Sequence, residues 1–114
     1  MNKIYWKNSC MKNKNSFEWV YEIVKQIPKG KVMTYKSVSI MANVATPRIV
    51  GFALHVNPDS KNIPCHRVIF SDGSLSKGFA FGGEEAQKQL LEKEGICFTK
   101  QGKVILEKYL HPLI

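Results

Sequence analysis

No apolar run in this sequence approaches the roughly 20 residues that a membrane-spanning helix needs. The opening residues, Met1-Asn2-Lys3-Ile4-Tyr5-Trp6-Lys7, lack the apolar centre of a secretory signal. Those two absences predict a cytoplasmic protein with no membrane partner. Cysteines are few and scattered: Cys10, Cys65 and Cys97 contain no CxxC pair. That spacing argues against a zinc site or a dithiol redox motif, and a cytosolic chain keeps such thiols reduced. No metal and no cofactor are expected. The glycine-rich stretch Lys77-Gly78-Phe79-Ala80-Phe81-Gly82-Gly83 lacks the lysine and Ser/Thr that close a P-loop, so it is no phosphate cradle. Its glycines would instead let backbone lie against a flat ligand. Acidic residues are also scarce. Nine Asp and Glu face 17 Lys and Arg, giving a formal net charge of +8. A small domain this basic points to a polyanion, nucleic acid first, although lysine-rich surfaces also serve solubility.

The sequence has 114 residues, enough for one domain with a core and too few for two. It shows no internal repeat. Residues 1–15 are rich in Lys and Asn and predict a loose tail, with Tyr5 and Trp6 tacked onto a single domain over 16–114. Ser16 is placed to cap a helix whose core face is Phe17, Val20, Tyr21, Val24 and Ile27, stopped by Pro28 and Gly30. Thr34 caps a short helix over Tyr35 to Ala42. After a turn at Asn43-Val44-Ala45, Thr46-Pro47 starts another helix running through Val56. Two short helices around such a turn make a helix-turn-helix, the second entering a DNA groove. On that second helix Arg48, Phe52 and His55 form a basic and aromatic stripe, with the small Gly51 between them. Such a stripe suits close approach to nucleic acid, and equally a solvated helix face.

Further on, Val68-Ile69-Phe70 and Leu75 predict a hairpin across Ser71-Asp72-Gly73-Ser74. A last helix opens at Glu84-Glu85, points Leu90 and Leu91 inward and ends at Glu94-Gly95. Ile96-Cys97-Phe98 and Val104-Ile105-Leu106 predict a terminal hairpin or wing, after which Tyr109 to Ile114 pack back on the body. The expected class is mainly α with small β hairpins, a winged helix-turn-helix-like domain.

The chemistry concentrates in Ile63-Pro64-Cys65-His66-Arg67-Val68. Thiolate is the nucleophilic form of cysteine, and a neighbouring imidazole can take its proton. Pro64 fixes its own φ and pushes Ile63 toward extended geometry, which aims the cysteine. Most free cysteines, by contrast, are small buried hydrophobes. A glutamate at a helix end is usually solvated, and a lone tyrosine is usually half-core.

This hexapeptide resembles the active-site signature of the O6-alkylguanine-DNA alkyltransferases, suicide repair proteins that take an alkyl group from guanine onto cysteine. The resemblance extends over about residues 17–98. Gly30-Lys31-Val32-Met33-Thr34-Tyr35 is similar to the family's lead into its first DNA-facing helix, and Arg48-Ile49-Val50-Gly51 to the start of its recognition helix. Asn57-Pro58 resembles its asparagine hinge, and Leu90-Leu91-Glu92-Lys93-Glu94-Gly95 its closing helix. The resemblance implies catalytic roles for Cys65 (acceptor), His66 (base), Glu94 (orienting the imidazole), Asn57 (pinning the turn) and Tyr35 (donor to the departing guanine). It implies DNA contacts by Arg48, as a finger filling the base stack, and by Tyr35, Thr34, Gly51 and Arg67. Val68, Phe81 and Gly82 would form the substrate pocket. The implied partner is double-stranded DNA containing O6-alkylguanine, bound by a monomer that acts once. Two features depart from the pattern. Phe79-Ala80-Phe81 stands where the family usually has a tyrosine and a serine before its paired glycines. The short body resembles the alkyltransferase-like branch, which typically has tryptophan at the cysteine position, binds lesions without removing the alkyl group and flags them for other repair proteins.

Overall fold

Asn15 opens the first helix. In the computed structural model, which describes residues 14–112, its side chain accepts the Glu18 N–H at 2.9 Å while the Glu18 carboxylate accepts the Asn15 N–H at 2.9 Å. This reciprocal capping box satisfies two otherwise orphaned donors, and it moves the cap one residue ahead of the expected Ser16. Helix α1, Ser16–Val24, buries Trp19, Val20, Ile23 and Val24. The tail expected over 1–15, with Tyr5 and Trp6, lies outside the described residues except for positions 14 and 15.

Strand β1, Met33–Thr34, leads straight into α2, Tyr35–Ala42. Thr34 caps α2, its Oγ1 accepting the Ser37 N–H at 3.0 Å. Asn43 ends the helix in the left-handed region at φ 57°, a conformation Asn tolerates better than most residues. Helix α3, Pro47–His55, begins with proline at its first turn, and Thr46 contributes no side-chain cap. The α2 and α3 axes cross at 98°. Val38, Ala42, Val50 and Ala53 meet the buried face of α1 in one apolar cluster. Each such fully buried valine contributes roughly 1.5–3 kcal/mol. The Tyr21 hydroxyl donates to Ala53 O at 2.8 Å and fastens α1 to α3.

The hairpin expected at Val68–Leu75 is replaced by a different pairing. Strand β2, Val68–Ile69, runs parallel to β1, with Met33 opposite Val68 and Thr34 opposite Ile69. Both β2 residues are fully buried, so no polar-out alternation exists, as is usual for parallel strands covered on both faces. Residues 70–74 form only a tight turn, the Phe70 N–H donating to Ser74 O at 3.0 Å. Gly73 is required there: its φ is +89°, and a Cβ would collide with the Val104 carbonyl.

Helix α4, Gly83–Lys93, buries Leu91 and Gln87, while Leu90 is only half-buried. Glu94 is its C-cap and Gly95 follows at φ +93°. Leu91 joins Val32, Ile69, Leu75, Ile96, Val104 and Tyr109 in a second apolar cluster. The expected terminal hairpin is reduced to one antiparallel bridge, Phe98 with Val104. After α5, Leu106–Tyr109, the chain returns to the body: the Val32 N–H donates to Tyr109 O, and the His111 N–H to Val32 O. Among the described residues no single helix is long and apolar enough to cross a membrane.

Candidate active site

Cys65 starts a 3-10 turn, Cys65–Arg67, that links the α3 side of the molecule to β2. Asn57, just past α3, holds the loop ahead of this turn. Its amide donates to Ile63 O at 2.9 Å, and its Oδ1 accepts the Asp59 N–H at 2.9 Å. Cys65 is 5% exposed. Burial pushes its thiol up, opposed by a hydrogen bond from Asn57 and by the Cys65 and His66 backbone N–H groups. The resting form is therefore thiol, and a base must remove the proton before sulfur can attack.

His66 stands beside such a base system. Its Nε2 lies 2.8 Å from Glu94 Oε2. Arg67 grips the same carboxylate, Nε to Oε1 at 2.9 Å and Nη2 to Oε2 at 2.7 Å, and spends Nη1 on Ile27 O at 2.8 Å. Burial opposes ionisation of Glu94, but the hydrogen bonds and charges of Arg67 and His66 outweigh it and bring its carboxyl down to about 2. An ionised carboxylate only accepts, so Nε2 carries the imidazole proton and Nδ1 keeps its lone pair. Burial, reinforced by the Arg67 charge, lowers the His66 pKa against the pull of Glu94. The imidazole is thus neutral at pH 7 and able to receive a proton.

A pocket of about 350 Å³ opens onto Cys65. Its walls include Tyr35 from α2, Gly51, Phe52 and His55 from α3, Phe70, and the loop residues Gly78, Phe79 and Ala80. Tyr35 and Phe70 pack with ring centroids 4.9 Å apart. Burial raises the Tyr35 pKa, with a smaller increase from Cys65 and a decrease from its hydrogen bond with Ser76. Its phenol is protonated at neutral pH and available as a donor. Such a cavity, apolar and aromatic with a few converging polar groups, suits a flat heteroaromatic ring.

The structure brings Cys65, Tyr35 and Gly51 to this pocket, sets His66 and Glu94 in contact and places Asn57 under the turn. Arg48 is exposed on α3. Five expected positions differ. Arg67 points inward and commits its guanidinium to Glu94 and Ile27 rather than to a DNA face. Thr34 is buried and caps α2, so it sets the start of the helix that carries Tyr35. Val68 is fully buried in the core rather than in the pocket wall. Phe81 and Gly82 lie beyond the wall. Gly82 caps α4 at φ +123°, and the Gly83 N–H is already donated to Phe79 O. The loop residues that line the cavity come a few positions earlier, Gly78 to Ala80.

Gln87 was not foreseen. Fully buried, it donates from Nε2 to His66 O and Val68 O, both at 3.0 Å, and accepts the Ser76 N–H at 3.0 Å. It therefore ties the cysteine turn to the loop that walls the pocket. The available signal was its position seven residues before Glu94, on the same helix face.

Residues 15–96 match the family model for the 6-O-methylguanine DNA methyltransferase DNA binding domain. A DNA base-flipping protein of Vibrio parahaemolyticus is 42% identical over 92 residues, 79% of this chain and 89% of that protein. A methylated-DNA–protein-cysteine methyltransferase of Methanothermobacter thermautotrophicus is 43% identical over 82 residues, 72% of this chain but only 45% of the relative. The crystal structure of S. pombe Atl1 in complex with damaged DNA containing O6-carboxymethylguanine superposes with a TM-score of 0.74 at 35% identity, covering 85% of this chain and 94% of that one. With α2 and α3 as its helix-turn-helix, the chain belongs to the 6-O-methylguanine DNA methyltransferase family, as its DNA-binding domain.

Proposed function

We propose that this protein binds O6-alkylguanine in duplex DNA, flips it out of the stack and takes the alkyl group onto Cys65. The observation that carries this reading is Cys65 on the wall of an aromatic pocket, next in the chain to a neutral imidazole whose far nitrogen is held by ionised Glu94. A thiol cannot reach guanine O6 inside a duplex, and extrusion of one nucleotide costs a few kcal/mol, less for a weakly paired lesion. Arg48 would fill the vacated stack, and surface lysines would contact phosphates without regard to sequence. In the transfer, the Cys65 proton passes to His66 Nδ1, directly or through water. The new S–C bond forms as the C–O6 bond breaks, and guanine leaves with a proton from Tyr35. His66 then gives up the thiol proton and the Tyr35 phenolate takes one back through water, so the net proton movement is from thiol to guanine. The product is a thioether, so each molecule reacts once.

A second reading has its own support. The thiol is held up by burial rather than activated in the free protein, and the chain spans nearly the whole of the superposed alkyltransferase-like structure. Under that reading the lesion is bound and exposed to other repair proteins while Cys65 stays unmodified. Intact mass and peptide mapping after incubation with excess O6-methylguanine duplex separate the two. One added methyl on the Cys65 peptide, missing in Cys65→Ala, is the expected result. Tight lesion binding by protein that stays unmodified would establish the second reading instead.

A further inference from the structure

Phe52 sits in the middle of α3 with 56% of its surface exposed, whereas Val50, Ala53 and Leu54 beside it are buried. A single exposed apolar residue needs no explanation, so exposure alone carries nothing. Two further observations single this one out. The Arg48 guanidinium, one helical turn away, lies over the Phe52 ring at 5.8 Å from its centroid. Phe52 also borders the pocket that contains Cys65, together with the aromatic rings of Tyr35, Phe70 and Phe79. One ring is therefore shared between the exposed cation of the recognition helix and the mouth of the reactive cavity.

We propose that Phe52 is a specificity-determining residue, an aromatic lip that braces Arg48 for entry into the base stack and offers the extruded base a face to stack on. The proposal rests on the flipping reading above and names how this chain sustains it. An exposed arginine loses rotamer freedom when it enters a stack, and a ring that already holds the guanidinium removes part of that loss in advance. Aromatic faces hold unpaired bases by stacking, whatever the base. The ring is accessible, with more than half of the Phe52 surface exposed, and the adjacent Gly51 adds no side chain beside it. Paired bases inside an undamaged duplex have no face to offer, so the lip discriminates by extrusion.

The test compares wild type, Phe52→Ala, Phe52→Leu and Phe52→Tyr. Each is titrated against an O6-methylguanine duplex and the same duplex undamaged, with melting recorded for every variant. Because the ring is exposed, melting should stay unchanged. Affinity for the lesion duplex should fall about tenfold in the Ala variant, the worth of one aromatic–base stack, and fall similarly in the Leu variant, which keeps bulk but has no π face. Affinity for the undamaged duplex should stay within about twofold, as expected when phosphate contacts dominate there. The Tyr variant should keep the wild-type preference. In an Arg48→Ala background the Phe52→Ala loss should shrink, since the bracing part is already gone. Equal losses on both duplexes, a Leu variant that behaves as wild type, or additive losses with Arg48→Ala would each overturn the lip. A wild type with no preference for the lesion would overturn the flipping reading itself. Preference kept by wild type and by Phe52→Ala alike would remove the lip and leave that reading standing.

Discussion

Glu94 Oε2 lies 2.8 Å from His66 Nε2, although 28 residues separate the two in the chain. The contact exists because α4 ends where the 3-10 turn begins to expose its imidazole, and because Arg67 and the Gly30 N–H approach the same carboxylate from other sides. One ion thereby joins the chemistry of the turn to the stability of the fold.

That double role predicts acid sensitivity. Glu94 has a folded pKa of about 2 against an ordinary 4.5. A depressed carboxylate contributes stability above its unfolded pKa and loses it as pH falls toward the folded one. The contribution is roughly 3 kcal/mol at neutral pH. His66 acts in the same direction: its folded pKa is lowered, so protonation on acidification favours the unfolded chain. Thermal melting should drop steeply between about pH 5 and pH 2.5 in wild type and less steeply in Glu94→Gln. The same variant should slow Cys65 alkylation at pH 7, measured in single turnover. A Glu94→Gln profile parallel to wild type would show that the ion pair contributes nothing.

Tyr35→Phe keeps the ring packed on Phe70 and deletes the hydroxyl. Lesion affinity should change little. Methyl transfer should slow by about a hundredfold, the usual worth of a positioned general acid. An equal loss in binding and transfer would assign Tyr35 to recognition alone.

Gly51 separates folding from function. Within α3 a glycine costs about 0.5–1 kcal/mol relative to alanine. A Cβ there meets no neighbour, so the fold does not require glycine. Gly51→Ala should raise the melting temperature by a few degrees while weakening binding of the lesion duplex, because the methyl occupies the pocket wall. A variant that gains stability without losing affinity would show that DNA does not approach at this position.

The residues that carried the sequence reading were the locally encoded ones. The Thr34 cap, Pro47 at the first turn of α3 and Gly95 after α4 each act through their own backbone, so their signals survive in a one-dimensional string. Cys65, His66, Glu94 and Asn57 came to notice as a set through the resemblance to the alkyltransferase motifs, and the structure sets His66 against Glu94 and Asn57 under the loop before the turn. The missing pieces are long-range. Val68 and Ile69 pair with a strand more than thirty residues away, and nothing local distinguishes a parallel partner from a hairpin. The resemblance implies a DNA contact for Arg67. Its inward turn follows from Glu94 and the Ile27 carbonyl, both distant in sequence. A buried glutamine is harder still, since its surroundings decide whether a polar side chain is surface or keystone.

Gln87 gives the sharpest test of how the site is held. Its amide donates to one carbonyl of the cysteine turn and one at the start of β2 and accepts one N–H from the pocket loop, with the side chain fully buried. Gln87→Met keeps the volume and removes all three bonds, leaving buried backbone groups unpaired at about 1–3 kcal/mol each. Melting should fall by roughly 10 °C or more, and Cys65 should become more reactive toward a small alkylating reagent as the turn loosens. Gln87→Glu sharpens the point through pH. A carboxylate facing the His66 and Val68 carbonyls is disfavoured, so its folded pKa must rise above the unfolded value. The protonated form can donate to one carbonyl, so the deficit of this variant relative to wild type should be smallest below about pH 4.5 and grow as pH rises through the folded pKa, opposite in sign to the contribution of Glu94. Melting curves of the three proteins from pH 4 to pH 8 decide it. A Met variant as stable as wild type, or a Glu variant that follows the wild-type pH profile, would show that α4 holds the cysteine turn through Glu94 alone.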